Sequence, residues 1–174
     1  CSLIDLNRAG VPLLEIVSDP DISSPQEAYD YLTALKSLMQ WFDISACDME
    51  KGELRVDVNL SLRPKGQKEF GTRIEIKNLN SFKAVKDALT YEISRQSEVL
   101  QNGGKITQET RLWDDVLLET KPMRSKESAQ EYRYFPEPDL PPLILSQERI
   151  EDIRKSMPKN PCEKRKEFED EDTF

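Results

Sequence analysis

Histidine is absent from all 174 residues. A general base or nucleophile activator of the histidine kind is therefore excluded. Cysteine is scarce: Cys1, Cys47 and Cys162 stand alone, with no C-x-x-C pair. Without histidine, that argues against a zinc site of the usual Cys/His type. An odd, scattered set also fits a reducing compartment better than a disulfide framework. No apolar run approaches the roughly 20 residues needed to span a bilayer, and no signal-peptide pattern opens the chain. There is no Walker loop, no Rossmann glycine pattern and no Gly-x-Ser-x-Gly elbow. Gly103-Gly104 reads as a helix stop. Neither a membrane nor DNA is an expected partner. Acidic residues outnumber basic ones 33 to 25, for a net charge of −8, which speaks against a broad electrostatic surface for nucleic acid. The sum still leaves room for a local basic patch.

What is present predicts an α+β domain with a modest core, since apolar residues are 37% and charged residues 33% of the chain. The length suits one domain, or one domain plus a tail. Residues 3–6 and 12–17 read as two short strands around a turn at Ala9-Gly10. The start at Cys1, inside an apolar stretch, reads as a truncated beginning. Ser24-Pro25-Gln26-Glu27 is a helix start: a serine cap, proline in the first turn and a glutamate that completes a capping box. Ala28, Leu32, Leu35, Met39 and Phe42 follow at helical spacing.

Leu54, Val56, Val58, Leu60 and Leu62 then alternate with Arg55, Asp57, Asn59, Ser61 and Arg63. Arg73, Glu75 and Lys77 alternate with Ile74 and Ile76. Period two means half-buried strands with one apolar and one polar face, which predicts an antiparallel sheet with flanking helices. Asn80 is a candidate cap for a second helix with Phe82, Val85, Leu89, Ile93 and Leu100 as its stripe. Thr110–Trp113 and Val116–Leu118 read as a further strand pair. Pro136, Pro138, Pro141 and Pro142 impose an extended loop. Ser146 caps a short helix to Met157. From Pro158 the chain is charged and reads as a frayed helix or a tail.

The polar strand faces are the constellation of interest. If both strands share a sheet face, the carboxylates of Asp57 and Glu75 alternate there with Arg55, Arg73 and Lys77. Magnesium asks for hard oxygens and keeps several waters, and nearby cations neutralise phosphate. The plainer reading is the solvated face of a one-sided sheet, which alternation alone favours. Glu15, inside the apolar run Leu13-Leu14-Glu15-Ile16-Val17, should sit at an edge, be paired or bind metal; an outward-facing residue on a half-exposed strand fits equally. Arg124 and the run from Glu131 to Pro136 mix arginine with aromatics, which suits base stacking but suits core packing better.

Several segments together resemble one family. They are Asp5-Leu6-Asn7-Arg8-Ala9-Gly10-Val11-Pro12-Leu13-Leu14-Glu15-Ile16-Val17-Ser18, then the stretch from Met49 to Asn59, Ser61-Leu62-Arg63-Pro64, and Phe70 to Phe82. Gln108-Glu109-Thr110-Arg111 and Tyr132 to Leu140 complete the match. In this order they are similar to the GatB subunits of the aspartyl/glutamyl-tRNA amidotransferases. The resemblance implies a cradle-shaped α+β domain like that of glutamine synthetases and guanidino kinases, incomplete here, over residues 1–157. Residues 158–174 would be a charged tail or the start of a following helical region. It implies ATP-dependent amidation of Glu-tRNA(Gln) or Asp-tRNA(Asn), with ATP and Mg2+ as cofactors. Its partners would be an amidase that supplies ammonia, the small third member of the same heterotrimer, and the misacylated tRNA. The setting would be bacterial cytoplasm or an organellar matrix. On that basis Glu15, Asp57 and Glu75 are expected as catalytic metal ligands. Arg55, Asn59, Arg73 and Lys77 would contact nucleotide or substrate, with Asn78 and Ser81 at the next helix start, where backbone amides favour anions. Further metal ligands and the tRNA-gripping helical domains of the family lie outside these residues, so this stretch alone is expected to be inactive. Two other functions compete: a non-catalytic docking module for the amidase, and a guanidino-kinase-like small-molecule kinase.

Overall fold

Ser24 opens the first helix, α1 (Pro25–Trp41), as the sequence predicts: its hydroxyl accepts from the Glu27 amide and the Glu27 carboxylate accepts from the Ser24 amide. The computed structural model describes residues 10–123 and 138–171, together with Leu3, Leu6 and Asn7. The mixed run from Glu131 to Pro136, Arg124 and the middle two residues of the expected strand over 3–6 lie outside the described residues.

Two strands follow, β1 (Val56–Leu60) and β2 (Ile74–Leu79), and they pair antiparallel. Helix α2 (Phe82–Gln101) then carries the chain back before β3 (Thr110–Asp114), so β3 lies parallel to β2. A helix of this length spans roughly 30 Å, enough to return the chain to the end where β2 began. The sheet of order β1-β2-β3-β4 is thus mixed, which corrects the expectation of a purely antiparallel one. One apolar face per strand was a sound reading, but it does not fix strand direction. Strand β4 (Glu119–Pro122) closes an antiparallel pair with β3. The helices α3 (Gln147–Ser156), capped by Ser146, and α4 (Pro161–Glu171) complete the described chain.

Three further local expectations change. The apolar run 12–17 is not a strand: none of the four strands pairs with it, and Leu13 and Val17 are 93% and 82% exposed. The cap of α2 is Ser81, whose hydroxyl accepts from the Ala84 amide at 2.9 Å, not Asn80. Val116 to Leu118 form the β3–β4 turn instead of a strand. Asp114 takes the Val116 and Leu117 amides at 3.0 Å each, and Leu118 has φ 54°. This local hydrogen bonding outweighs the strand preference of three apolar residues.

The core lies between the sheet and α2. Ala84, Val85, Ala88 and Leu89 meet Ile74, Ile76, Leu79 and Trp113, and Ala28 and Leu32 of α1 join the cluster. Ile74 and Ile76 have no exposed surface, so each contributes on the order of 2 kcal/mol of burial. Further along α2 the buried stripe turns polar. Glu92 and Gln96 are fully buried beside Arg111 and Thr120 of the sheet.

Candidate functional site

With α2 on the Ile74–Ile76 face, the alternating residues turn to the other face of the sheet. Register places Asn59 directly opposite Glu75, and Glu75 opposite Thr110. Asp57, Asn59, Glu75, Lys77, Thr110 and Leu112 therefore share one face, so the two polar strand faces do coincide.

The ladder between β1 and β2 is irregular at one point. Val58 pairs with Ile76, but Val56 pairs with Leu79. Asp57 alone therefore stands opposite two residues, Lys77 and Asn78. This is a β-bulge, and within it Asn78 has a left-handed backbone, with φ 64°. Asparagine tolerates that conformation better than most residues. Its side-chain amide donates to the Trp113 carbonyl at 2.9 Å, which ties the bulge to β3. A cavity of about 320 Å3 opens at this place, lined among others by Arg55, Asp57, Lys77, Asn78 and Leu112. That volume is at the small end for ligand sites.

The charges on this face are loosely paired. Arg55 Nη2 lies 3.7 Å from Asp57 Oδ2, and Lys77 Nζ lies 3.4 Å from Glu75 Oε1. All four side chains are at least one-third exposed, so such pairs are worth under about 1 kcal/mol and rearrange cheaply. A phosphate could take both cations and release both carboxylates. Thr110 Oγ1 donates to the other oxygen of Glu75 at 2.9 Å.

The remaining expected residues are spread out. Arg73 precedes β2 and is exposed. The Ser81 hydroxyl is engaged as the α2 cap. Glu15 stands exposed on the irregular segment before α1. Among the described residues, no three His, Cys, Asp or Glu side chains gather into a group that could hold a metal. Asp57 and Glu75 do share the face, on neighbouring strands, with Asp57 two residues along β1 from Asn59, the residue opposite Glu75.

Beneath this face lies a feature that the sequence reading missed. Glu92 accepts from Arg95 at 2.9 and 2.8 Å, from Gln96 at 3.0 Å and from the Thr120 hydroxyl. Arg111 Nε is 3.0 Å from Glu92, and its guanidinium donates to the Thr120 hydroxyl at 2.7 Å, to the Thr120 carbonyl at 2.8 Å and to Glu109. Burial pushes the Glu92 carboxyl up, but hydrogen bonds from Arg95, Thr120 and Gln96 hold it net below its ordinary value. The signal was available: Glu92 and Gln96 continue the Val85–Leu89 stripe at helical spacing.

The domain is of the α+β class, and residues 1–151 match the family model of the GatB/GatE catalytic domain. The chain belongs to that family. It is 59% identical over 167 residues to the aspartyl/glutamyl-tRNA(Asn/Gln) amidotransferase B subunit of Thermoanaerobacter sp. (strain X514), covering 96% of this chain and 35% of that protein. It is 61% identical to the same subunit of Elusimicrobium minutum, with the same coverage. For that of Leptospira biflexa the identity is 55%, over 98% of this chain and 35% of that one. The chain thus spans about a third of the length of these curated relatives.

Proposed function

We propose that this domain binds ATP on the polar sheet face and activates the side-chain carboxylate of a glutamate or aspartate esterified to tRNA(Gln) or tRNA(Asn). Attack of that carboxylate oxygen on the terminal phosphorus forms a mixed anhydride and releases ADP. Ammonia then attacks the carboxyl carbon and phosphate leaves, giving the amide. The names of the relatives supply the reaction class. The observation that carries the site is the bulge, which sets Asp57 against Lys77 and Asn78.

Phosphoryl transfer needs mainly placement and charge neutralisation. Lys77 and Arg55 would leave their loose partners for phosphate oxygens. Asn59, opposite Glu75, and Arg73, just before β2, would meet the nucleotide or substrate. Magnesium, when bound, would screen the phosphate charge. Asp57 and Glu75 suit it in donor chemistry, because magnesium keeps several waters and one or two carboxylates suffice. Glu15 stays a third candidate on the strength of the family resemblance. Asn78 and Ser81 serve structure first, through the bulge and the helix cap. A partner amidase would deliver the ammonia, with a small third protein in the assembly.

The test is reconstitution of the intact protein with the amidase and misacylated tRNA, followed by measurement of Gln-tRNA or Asn-tRNA. Asp57→Ala and Glu75→Ala should abolish the product while leaving the glutaminase of the partner active. Full product from both variants would end the proposal. Release of a phosphorylated small molecule without tRNA would favour the small-molecule kinase instead. The exposed apolar residues Leu13, Leu14 and Val17 favour a second role as a docking surface for the amidase. Loss of complex assembly in variants of that segment, with nucleotide binding intact, would separate the two.

A further inference from the structure

We propose that Thr110 is a positioning residue for Glu75, holding its carboxylate so that one defined oxygen is offered to the nucleotide site. The inference rests on the reading of the sheet face as the ATP site.

The two oxygens of Glu75 have different partners. Oε2 accepts from the Thr110 hydroxyl at 2.9 Å, whereas Oε1 faces the Lys77 ammonium at 3.4 Å. Lys77 lines the cavity, whereas Glu75 and Thr110 stand behind it on the same face. When phosphate draws Lys77 away, Oε1 is the oxygen set free, and Oε2 stays held. Without the threonine hydroxyl, the glutamate would swing through its rotamers and lose that selection.

Thr110 is itself unusually well fixed. Its carbonyl accepts the Met123 amide at 2.8 Å, and the preceding carbonyl, of Glu109, accepts the Glu75 amide at 3.0 Å. The next residue, Arg111, points to the opposite face and is locked into the buried network with Glu92 and Thr120. A β-branched side chain has few χ1 choices, so a fixed backbone fixes the hydroxyl as well. The buried network on one face of β3 thus sets the aim of a carboxylate on the other. Preorganisation of this kind is what a ligand site needs from its surroundings.

The experiment uses the intact protein in its complex. Magnesium-dependent ATP binding is measured by calorimetry for Thr110→Val, Thr110→Ser, Glu75→Gln and Thr110→Val with Glu75→Gln, alongside thermal melting of each. Thr110→Val should weaken magnesium-dependent binding roughly tenfold, the size of one hydrogen bond to a charged group. Thr110→Ser, which keeps the donor, should bind like the parent. In the Glu75→Gln background the valine should add nothing. The proposal is overturned if Thr110→Val binds like the parent while Glu75→Gln is weakened, if the serine fails to rescue, or if the valine costs as much with Glu75→Gln as without. Unchanged binding in Glu75→Gln itself would overturn the nucleotide-site reading, and this proposal with it.

Discussion

Replacing Arg111 by methionine removes a buried cation while keeping much of its volume. Its guanidinium is 3.0 Å from the fully buried Glu92 and bonds the Thr120 hydroxyl and carbonyl at 2.7 and 2.8 Å. Removing one partner of a buried pair generally costs about 3–5 kcal/mol, because the other charge is stranded. Glu92 keeps Arg95, at 2.8 and 2.9 Å, so the cost should fall at the low end, about 3 kcal/mol. Glu92→Gln leaves Arg111 with Glu109 and Thr120 and should cost about 1–2 kcal/mol. Both changes break the same pair, so the double variant should cost less than their sum by about 1 kcal/mol or more. Urea unfolding followed by circular dichroism gives all four values. A cost for Arg111→Met within about 0.5 kcal/mol of zero, the level of an ordinary surface change, would refute the argument. So would strict additivity of the two substitutions.

Other consequences follow from the same contacts. The carboxyl of Glu92 is held below its ordinary value of 4.5, so its contribution is complete above that pH and is lost as pH falls through the lowered folded value. Acid unfolding curves should show this loss in the parent, and Glu92→Gln should flatten it. Asp114 is drawn down to about 2 by the Lys121 ammonium and then the Leu117 amide, so the β3–β4 turn should hold until pH nears that value. Amide exchange at Val116 and Leu117 in Asp114→Asn should be faster than in the parent at neutral pH. Ser81→Ala removes the α2 cap and should lower stability by about 1 kcal/mol in urea unfolding. Gly71→Ala would drive its Cβ into the Leu62 carbonyl, so the β1–β2 connection must shift. Its melting temperature should drop, and an unchanged one would mean the two backbones are not in contact.

Part of the local structure was legible in the sequence. The capping box at Ser24 and Glu27 needs only four residues, and the structure contains it. The alternation in β1 and β2 likewise predicted one polar face for each strand, and the pairing of the strands brings the two faces together. Strand direction was less accessible, since the parallel pairing of β3 depends on where α2 delivers the chain. The apolar run 12–17 has strand composition, yet a strand also needs a neighbour. The bulge was nearly visible: the spacing from Ile76 to Leu79 breaks period two, and Asn78 sits in the gap. Arg111 could not be placed from its own strand, because its reason for burial is Glu92, nineteen positions earlier on another element. Glu15 was read from an assumed strand and stands instead in solvent.

The most direct measurement is a structure of the intact protein with manganese and a non-hydrolysable ATP analogue. The triphosphate should lie over the bulge, within hydrogen-bond reach of Lys77 and Arg55, with an anomalous manganese peak at Asp57 or Glu75. Nucleotide and metal seated on another surface, with this face untouched, would contradict the account.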